Sequence, residues 1–152
     1  MAQKYNTQQS FLAVNVLFVN ERGQIALLLR ESTRWMNNYY TIPGGKVEIG
    51  EPFLGAAVRE IKEEVGVDLM PEDLTHAVTL HICPDKNDDD MQWLHVIFVA
   101  SKWQGELYNA EPHVHAELLW CDPEKLPDNM IPSLKAGVEA WLKKEGYVEY
   151  DW

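Results

Sequence analysis

The stretch from Gly45 to Val67, GKVEIGEPFLGAAVREIKEEVGV, limits what this chain can fold into more than any other. Its second half reads as a helix beginning near Pro52, since a proline costs nothing in a first helical turn, and stopping at Gly66, a natural C-terminal cap. Glu51 precedes the helix and suits the positive end of its dipole. On the helix Glu60, Glu63 and Glu64 stand at i, i+3 and i+4 and so share one side. Leu54, Ala57, Val58, Ile61 and Val65 fill a separate arc that packs on a core. Three like charges on one face repel each other, and the arrangement becomes favourable when cations stand among them. An all-oxygen, carboxylate-rich set suits a hard divalent ion such as Mg2+.

The rest of the chain sets the frame for that helix. Its 152 residues, 46% of them hydrophobic, suit one domain over 1–152 with one core. No run of 18 apolar residues is present, so no membrane span is expected. The opening MAQKYNTQQS has no charged-then-apolar leader pattern, and Cys83 and Cys121 make no disulfide framework. A reducing, cytoplasmic setting is therefore the expectation. A net charge of −11 disfavours nucleic acid as a partner and would repel a free polyphosphate unless metal ions bridge the two.

Residues 11–20, FLAVNVLFVN, read as a buried strand, Glu21-Arg22-Gly23 as a turn, and residues 24–30 as the returning strand of a hairpin. Tyr39 to Ile42 is a short strand broken by Pro43-Gly44-Gly45. Leu74 to Cys83 and Met91 to Trp103 predict a second hairpin around the turn at 84–90, where Asp88, Asp89 and Asp90 read as solvated rather than cation-binding. His115 to Cys121 is a further strand, and Ser133 to Gly146 an amphipathic helix with Leu134, Val138, Trp141 and Leu142 on its apolar face. The aromatic tail YVEYDW is expected to pack back on the domain. Short turns and helical crossovers together favour a mixed sheet with helices packed on it. His113 and His115 share a strand parity, but with no third ligand at metal spacing in the sequence a zinc site is not expected.

Gly45, Glu51, Arg59, Glu60, Glu63, Glu64 and Gly66, at their spacings, resemble the Nudix box at every fixed position, over residues 45–67. Tyr40 to Gly45 looks like the strand and turn that lead into the box. WQGELYNAEP (Trp103 to Pro112), Trp120 and Leu126-Pro127 are similar to segments of MutT-like nucleoside triphosphate pyrophosphohydrolases, so the resemblance covers about residues 10–145. It implies an α/β fold, an α/β/α sandwich with a central mixed sheet. It implies hydrolysis of a nucleoside diphosphate linked to a group X, by water attack on phosphorus, with Mg2+ or Mn2+ as cofactor.

By the same resemblance Glu60 and Glu64 would ligate the metal, with Glu63 as a ligand or the partner of a metal-bound water. The Gly45 carbonyl and the loop glutamate Glu111 would join them, and Arg59 would pair with Glu51 to hold loop and helix together. The general base stays open among Glu60, Glu63 and Glu111. Arg30 matches a phosphate-contacting arginine and Asn129 a base-contacting asparagine. Trp35, Tyr39 and Tyr40 offer rings that either stack on a nucleobase or pack at the rim. The expected substrate is a nucleoside triphosphate, oxidised ones included, cut to monophosphate and pyrophosphate. ADP-ribose or a nucleotide sugar is the alternative, because the box holds the diphosphate and not the group X. A non-catalytic nucleotide-binding domain would be expected to lose box glutamates, and this chain keeps them. RNA caps are disfavoured by the lack of a basic patch, and a homodimer is common in the family.

Overall fold

The computed structural model describes residues 8–84 and 91–152, so the turn with Asp88, Asp89 and Asp90 lies outside the described residues. In chain order come β1 (Ser10–Phe18), β2 (Ile25–Arg30), β3 (Tyr40–Thr41), β4 (Gly44–Lys46) and α1 (Phe53–Val65). They are followed by β5 (Leu74–Ile82), β6 (Gln92–Ala100), β7 (His115–Cys121), α2 (Pro132–Leu142) and β8 (Tyr147–Tyr150). The strands make a five-stranded sheet ordered β4-β1-β6-β5-β8 and a three-stranded sheet ordered β3-β2-β7. The larger sheet is mixed: β1 runs parallel to β6 and β5 to β8, while β4 and β1, and β5 and β6, are antiparallel.

Alternation along β1 sorts the core into two layers. Val14, Val16 and Phe18 face α1 and meet Ala57, Ile61 and Val65 there, whereas Leu17 faces α2 with Leu80, Ile97, Leu134 and Val138. The two helices therefore cover opposite faces of the sheet, and the α/β sandwich expected from the resemblance is borne out. Ile61 and Val65 are fully buried, each worth about 2 kcal/mol of apolar burial. Gly66, at φ 73°, ends α1 in the left-handed region where the sequence places its stop.

Three expectations need correction. β1 and β2 are not a paired hairpin: they meet at the single bridge Val19–Ile25 and then part into different sheets. Both are apolar on both faces, which fits two central strands, and β2 pairs instead with β3 and β7. The last helix stops at Leu142 rather than Gly146, and Lys144 turns the chain at φ 60°. The aromatic tail does more than pack back, since β8 extends the large sheet beside β5. The β5–β6 hairpin is as expected. No helix among the described residues is long and apolar enough to cross a membrane.

Candidate functional site

The site begins where β4 and α1 approach each other. Gly44 and Gly45, expected in a turn, form most of a short strand against β1, with Asn15 opposite Gly44 and Val14 opposite Gly45. The approach is too close for side chains. A Cβ on Gly44 would lie 2.0 Å from the Val14 carbonyl oxygen, and one on Gly45 would lie 2.4 Å from the Glu60 carboxylate. The bare strand leaves room for two glutamates of α1 to lie over it, and the Gly44 N–H donates to Glu64 Oε2 at 2.7 Å.

The three helix glutamates are not equivalent. The side chains of Glu60 and Glu64 are 15% and 12% exposed, whereas Glu63 is 52% exposed, with its Oε2 3.5 Å from Arg59 Nη1. Burial pushes the Glu64 carboxyl up to about 8 against the pull of the Gly44 N–H, and the neighbouring Glu60 and Glu111 charges push the same way. Burial also raises Glu60, opposed by its hydrogen bond from Arg59.

Arg59 ties the region together. Its Nε and Nη2 donate to the two oxygens of Glu51 at 2.8 and 2.9 Å, Nη2 also reaches the Lys46 carbonyl at 3.1 Å, and Nη1 donates to Glu60 Oε1 at 2.8 Å. Strand, loop and helix are thus fixed by one planar fork. The Arg59 bond, with help from the Glu48 N–H, holds Glu51 down to about 2.

Glu111 arrives on the loop between β6 and β7. The Tyr108 and Ala110 N–H groups donate to the Val65 and Glu64 carbonyls at 3.3 and 2.9 Å, capping acceptors that the end of α1 leaves free. Asn109 then braces the turn, accepting from the Glu111 N–H at 3.2 Å and donating to the His115 carbonyl at 2.7 Å. The result is a group in which Glu64, Glu111 and His115 offer ligand atoms all within 4.8 Å of one another.

His115 is the residue that sequence reasoning missed. No further donor stands at metal spacing beside it in the sequence, because the candidate donors come from α1 and the loop rather than from its own strand. It is 4% exposed, its Nε2 stands 3.8 Å from Glu64 Oε1, and its Nδ1 has no hydrogen-bond partner among the described residues. Burial, with the Arg30 and His113 charges, holds the ring down to about 4, so it is neutral near pH 7. His113 is exposed and outside the group.

The expected substrate contacts fall on the neighbouring three-stranded sheet. Arg30 pairs with His115 across β2 and β7, and its Nε and Nη2 donate to the Trp35 carbonyl at 3.3 and 3.1 Å. Its guanidinium lies 5.4 Å from the Trp35 ring centroid. The Tyr40 hydroxyl donates to Glu117, which raises the phenol to about 12. The Tyr40 N–H meets the Asn129 carbonyl at 2.8 Å, while the Asn129 amide donates to the Asn38 carbonyl at 2.8 Å. Tyr40 and Asn129 therefore stand together, and Arg30 stands beside the carboxylate group, close enough for Glu64 to act on its charge.

The donor chemistry fits a divalent ion. Two crowded, nearly buried carboxylates, a third from the loop and an unpartnered imidazole nitrogen make a site that is unfavourable alone and favourable around a cation.

The NUDIX domain model matches residues 10–142. The chain is 33% identical over 92 residues to an 8-oxo-dGTP diphosphatase of Escherichia coli, covering 60% of this chain and 67% of that protein. It is 31% identical over 115 residues to an ADP-ribose pyrophosphatase of Methanocaldococcus jannaschii, covering 76% of this chain and 64% of that protein. Its fold superposes on a MutT NUDIX hydrolase from Burkholderia pseudomallei with a TM-score of 0.75 at 26% identity, over 87% of this chain and 98% of the other. The box, the carboxylates it gathers and the family match agree, and the chain belongs to the NUDIX domain family, as a Nudix hydrolase that cleaves pyrophosphate bonds in nucleotides.

Proposed function

We propose that the protein hydrolyses a nucleoside triphosphate, including oxidised forms, to a monophosphate and pyrophosphate, with Mg2+ or Mn2+ as cofactor. The observation that carries this reading is the convergence of Glu64 and Glu111 on the buried end of the box, beside Glu60. The likeness to an 8-oxo-dGTP diphosphatase supports the substrate class. Glu60, Glu64, Glu111 and the Gly45 carbonyl would hold the ion. When bound, such an ion neutralises phosphate charge and lowers the pKa of a bound water.

The chain's own residues do the rest. Arg59 and Glu51 keep the box loop and α1 in one geometry, so the carboxylates stay where a polyphosphate can be met. Arg30, held against Trp35 beside the carboxylates, supplies a fixed positive charge for a phosphate oxygen. Tyr40 and Asn129, joined by the bond from the Tyr40 N–H to the Asn129 carbonyl, would receive the nucleoside. Cleavage of ADP-ribose is a second reading, favoured by the likeness to an ADP-ribose pyrophosphatase.

The test is a panel of nucleoside triphosphates, 8-oxo-dGTP, ADP-ribose and nucleotide sugars, incubated with Mg2+ and assayed for phosphate products. Pyrophosphate release from a triphosphate is expected. Turnover confined to ADP-ribose would replace the first reading with the second, and no turnover of any member would sink both.

A further inference from the structure

The chain adds a nitrogen donor to a site expected to be built from oxygen alone. We infer that the His115 imidazole is itself a ligand of the divalent ion, alongside Glu64 and Glu111. The inference rests on the metal-assisted reading above and names a residue that reading does not require.

Three observations carry it. The ring is buried at 4% exposure, and a buried polar group without a partner is costly. Its Nδ1 has no hydrogen-bond partner among the described residues, and Nε2 stands 3.8 Å from Glu64 Oε1, beyond hydrogen-bond reach. The ligand atoms of Glu64, Glu111 and His115 lie within 4.8 Å of one another. Donors about 2.1 Å from a shared ion lie at most about 4.2 Å apart, so rotation of the side chains must draw the widest pair together.

The fold fixes the backbone that carries the ring. Asn109 donates to the His115 carbonyl at 2.7 Å, and the His115 N–H donates to the Glu111 carbonyl at 3.0 Å. The loop that delivers Glu111 therefore also fixes the start of β7. Packing alone would be served as well by leucine or phenylalanine, which bring no unsatisfied nitrogen. Imidazole nitrogen favours borderline transition ions over Mg2+, so the site is tuned toward Mn2+ and the ions that follow it in the usual affinity order.

The experiment loads the full chain, free of nucleotide, with Mn2+ and records electron spin echo envelope modulation. Directly coordinated imidazole gives a 14N modulation. It is expected in the unchanged chain and lost in His115→Leu, with the Mn2+ still bound by carboxylates at an affinity at least about tenfold weaker. Circular dichroism checks the fold, and His115→Gln replaces His115→Leu if the latter does not fold. Bound Mn2+ without 14N modulation in the unchanged chain would overturn the inference, as would modulation that survives the substitution. The substrate panel fails or succeeds separately: 14N modulation without turnover leaves the ligand assignment standing and removes the proposed activity.

Discussion

A Cβ added to Gly45 would lie 2.4 Å from the carboxylate of Glu60, whereas one added to Gly44 would lie 2.0 Å from the backbone oxygen of Val14. The two neighbouring glycines are therefore required for different reasons. The end of a glutamate side chain can move aside, and a strand backbone cannot. Gly45→Ala is expected to keep its melting temperature within a few degrees while turnover falls about a hundredfold, because a displacement near 1 Å at a reacting centre costs that much. Gly44→Ala, which also needs φ 147°, is expected to lose at least about 2 kcal/mol of stability. Thermal melts and turnover on the same pair of variants check both, and equal effects on fold and rate would contradict the distinction.

The charge crowded around Glu64 has a measurable sign. Its folded-state value, about 8, lies above the ordinary 4.5, so the folded protein binds more protons across that window. Stability of the metal-free protein therefore falls as the pH rises from 4.5 to 8. Glu64→Gln keeps an oxygen to accept the Gly44 N–H and removes the buried charge. It is expected to melt higher than the unchanged chain at pH 8 and nearly the same at pH 5, both in EDTA. Adding Mg2+ should stabilise the unchanged chain much more than the variant, by mass action on the native state. A difference in melting that ignores pH would show that the carboxyl is not charged by titration in this range.

Much of this was legible in the sequence, and the exceptions share a cause. Pro52 and Gly66 bracket α1 because φ restrictions act locally, so its limits and its charged face need no tertiary information. Which sheet a strand joins is not local. The apolar runs of β1 and β2 are alike and joined by a short turn, yet they separate because each is central to its own sheet. His115 was unreadable for the same reason. Glu64 lies 51 positions earlier, and only the loop hung on the end of α1 brings the two together. The neighbouring Glu111 is a candidate through resemblance rather than spacing.

Arg59 and Glu51 predict a response at acid pH. The two-point bond holds Glu51 at about 2, below its ordinary 4.5, so the pair's contribution is full above 4.5 and is lost as the pH falls toward 2. Lysine keeps the charge of arginine but lacks the fork that reaches Glu51, the Lys46 carbonyl and Glu60 together. Arg59→Lys is expected to unfold at a higher pH in acid titrations followed by circular dichroism, and to lose about tenfold or more in turnover at pH 8. An unchanged acid midpoint would mean that the ion pair does not bind loop to helix.

The last relationship links a helix end to a ligand. A Cβ on Gly66 would lie 2.2 Å from the Tyr108 ring, and Gly66 holds φ 73°. Alanine there pays about 1–2 kcal/mol for the left-handed conformation and must also displace the ring. The Tyr108 and Ala110 N–H groups bond the last turn of α1, and Glu111 follows directly, so moving the ring moves a candidate ligand. Gly66→Ala is expected to lower both the melting temperature and the Mn2+ affinity, the latter read by calorimetric titration. Adding Tyr108→Ala removes the collision but not the backbone cost. The double variant should therefore regain most of the Mn2+ affinity while its stability stays about 1 kcal/mol below that of Tyr108→Ala alone. Affinity that stays low in the double variant would show that the backbone at Gly66, rather than the ring, sets the position of the loop.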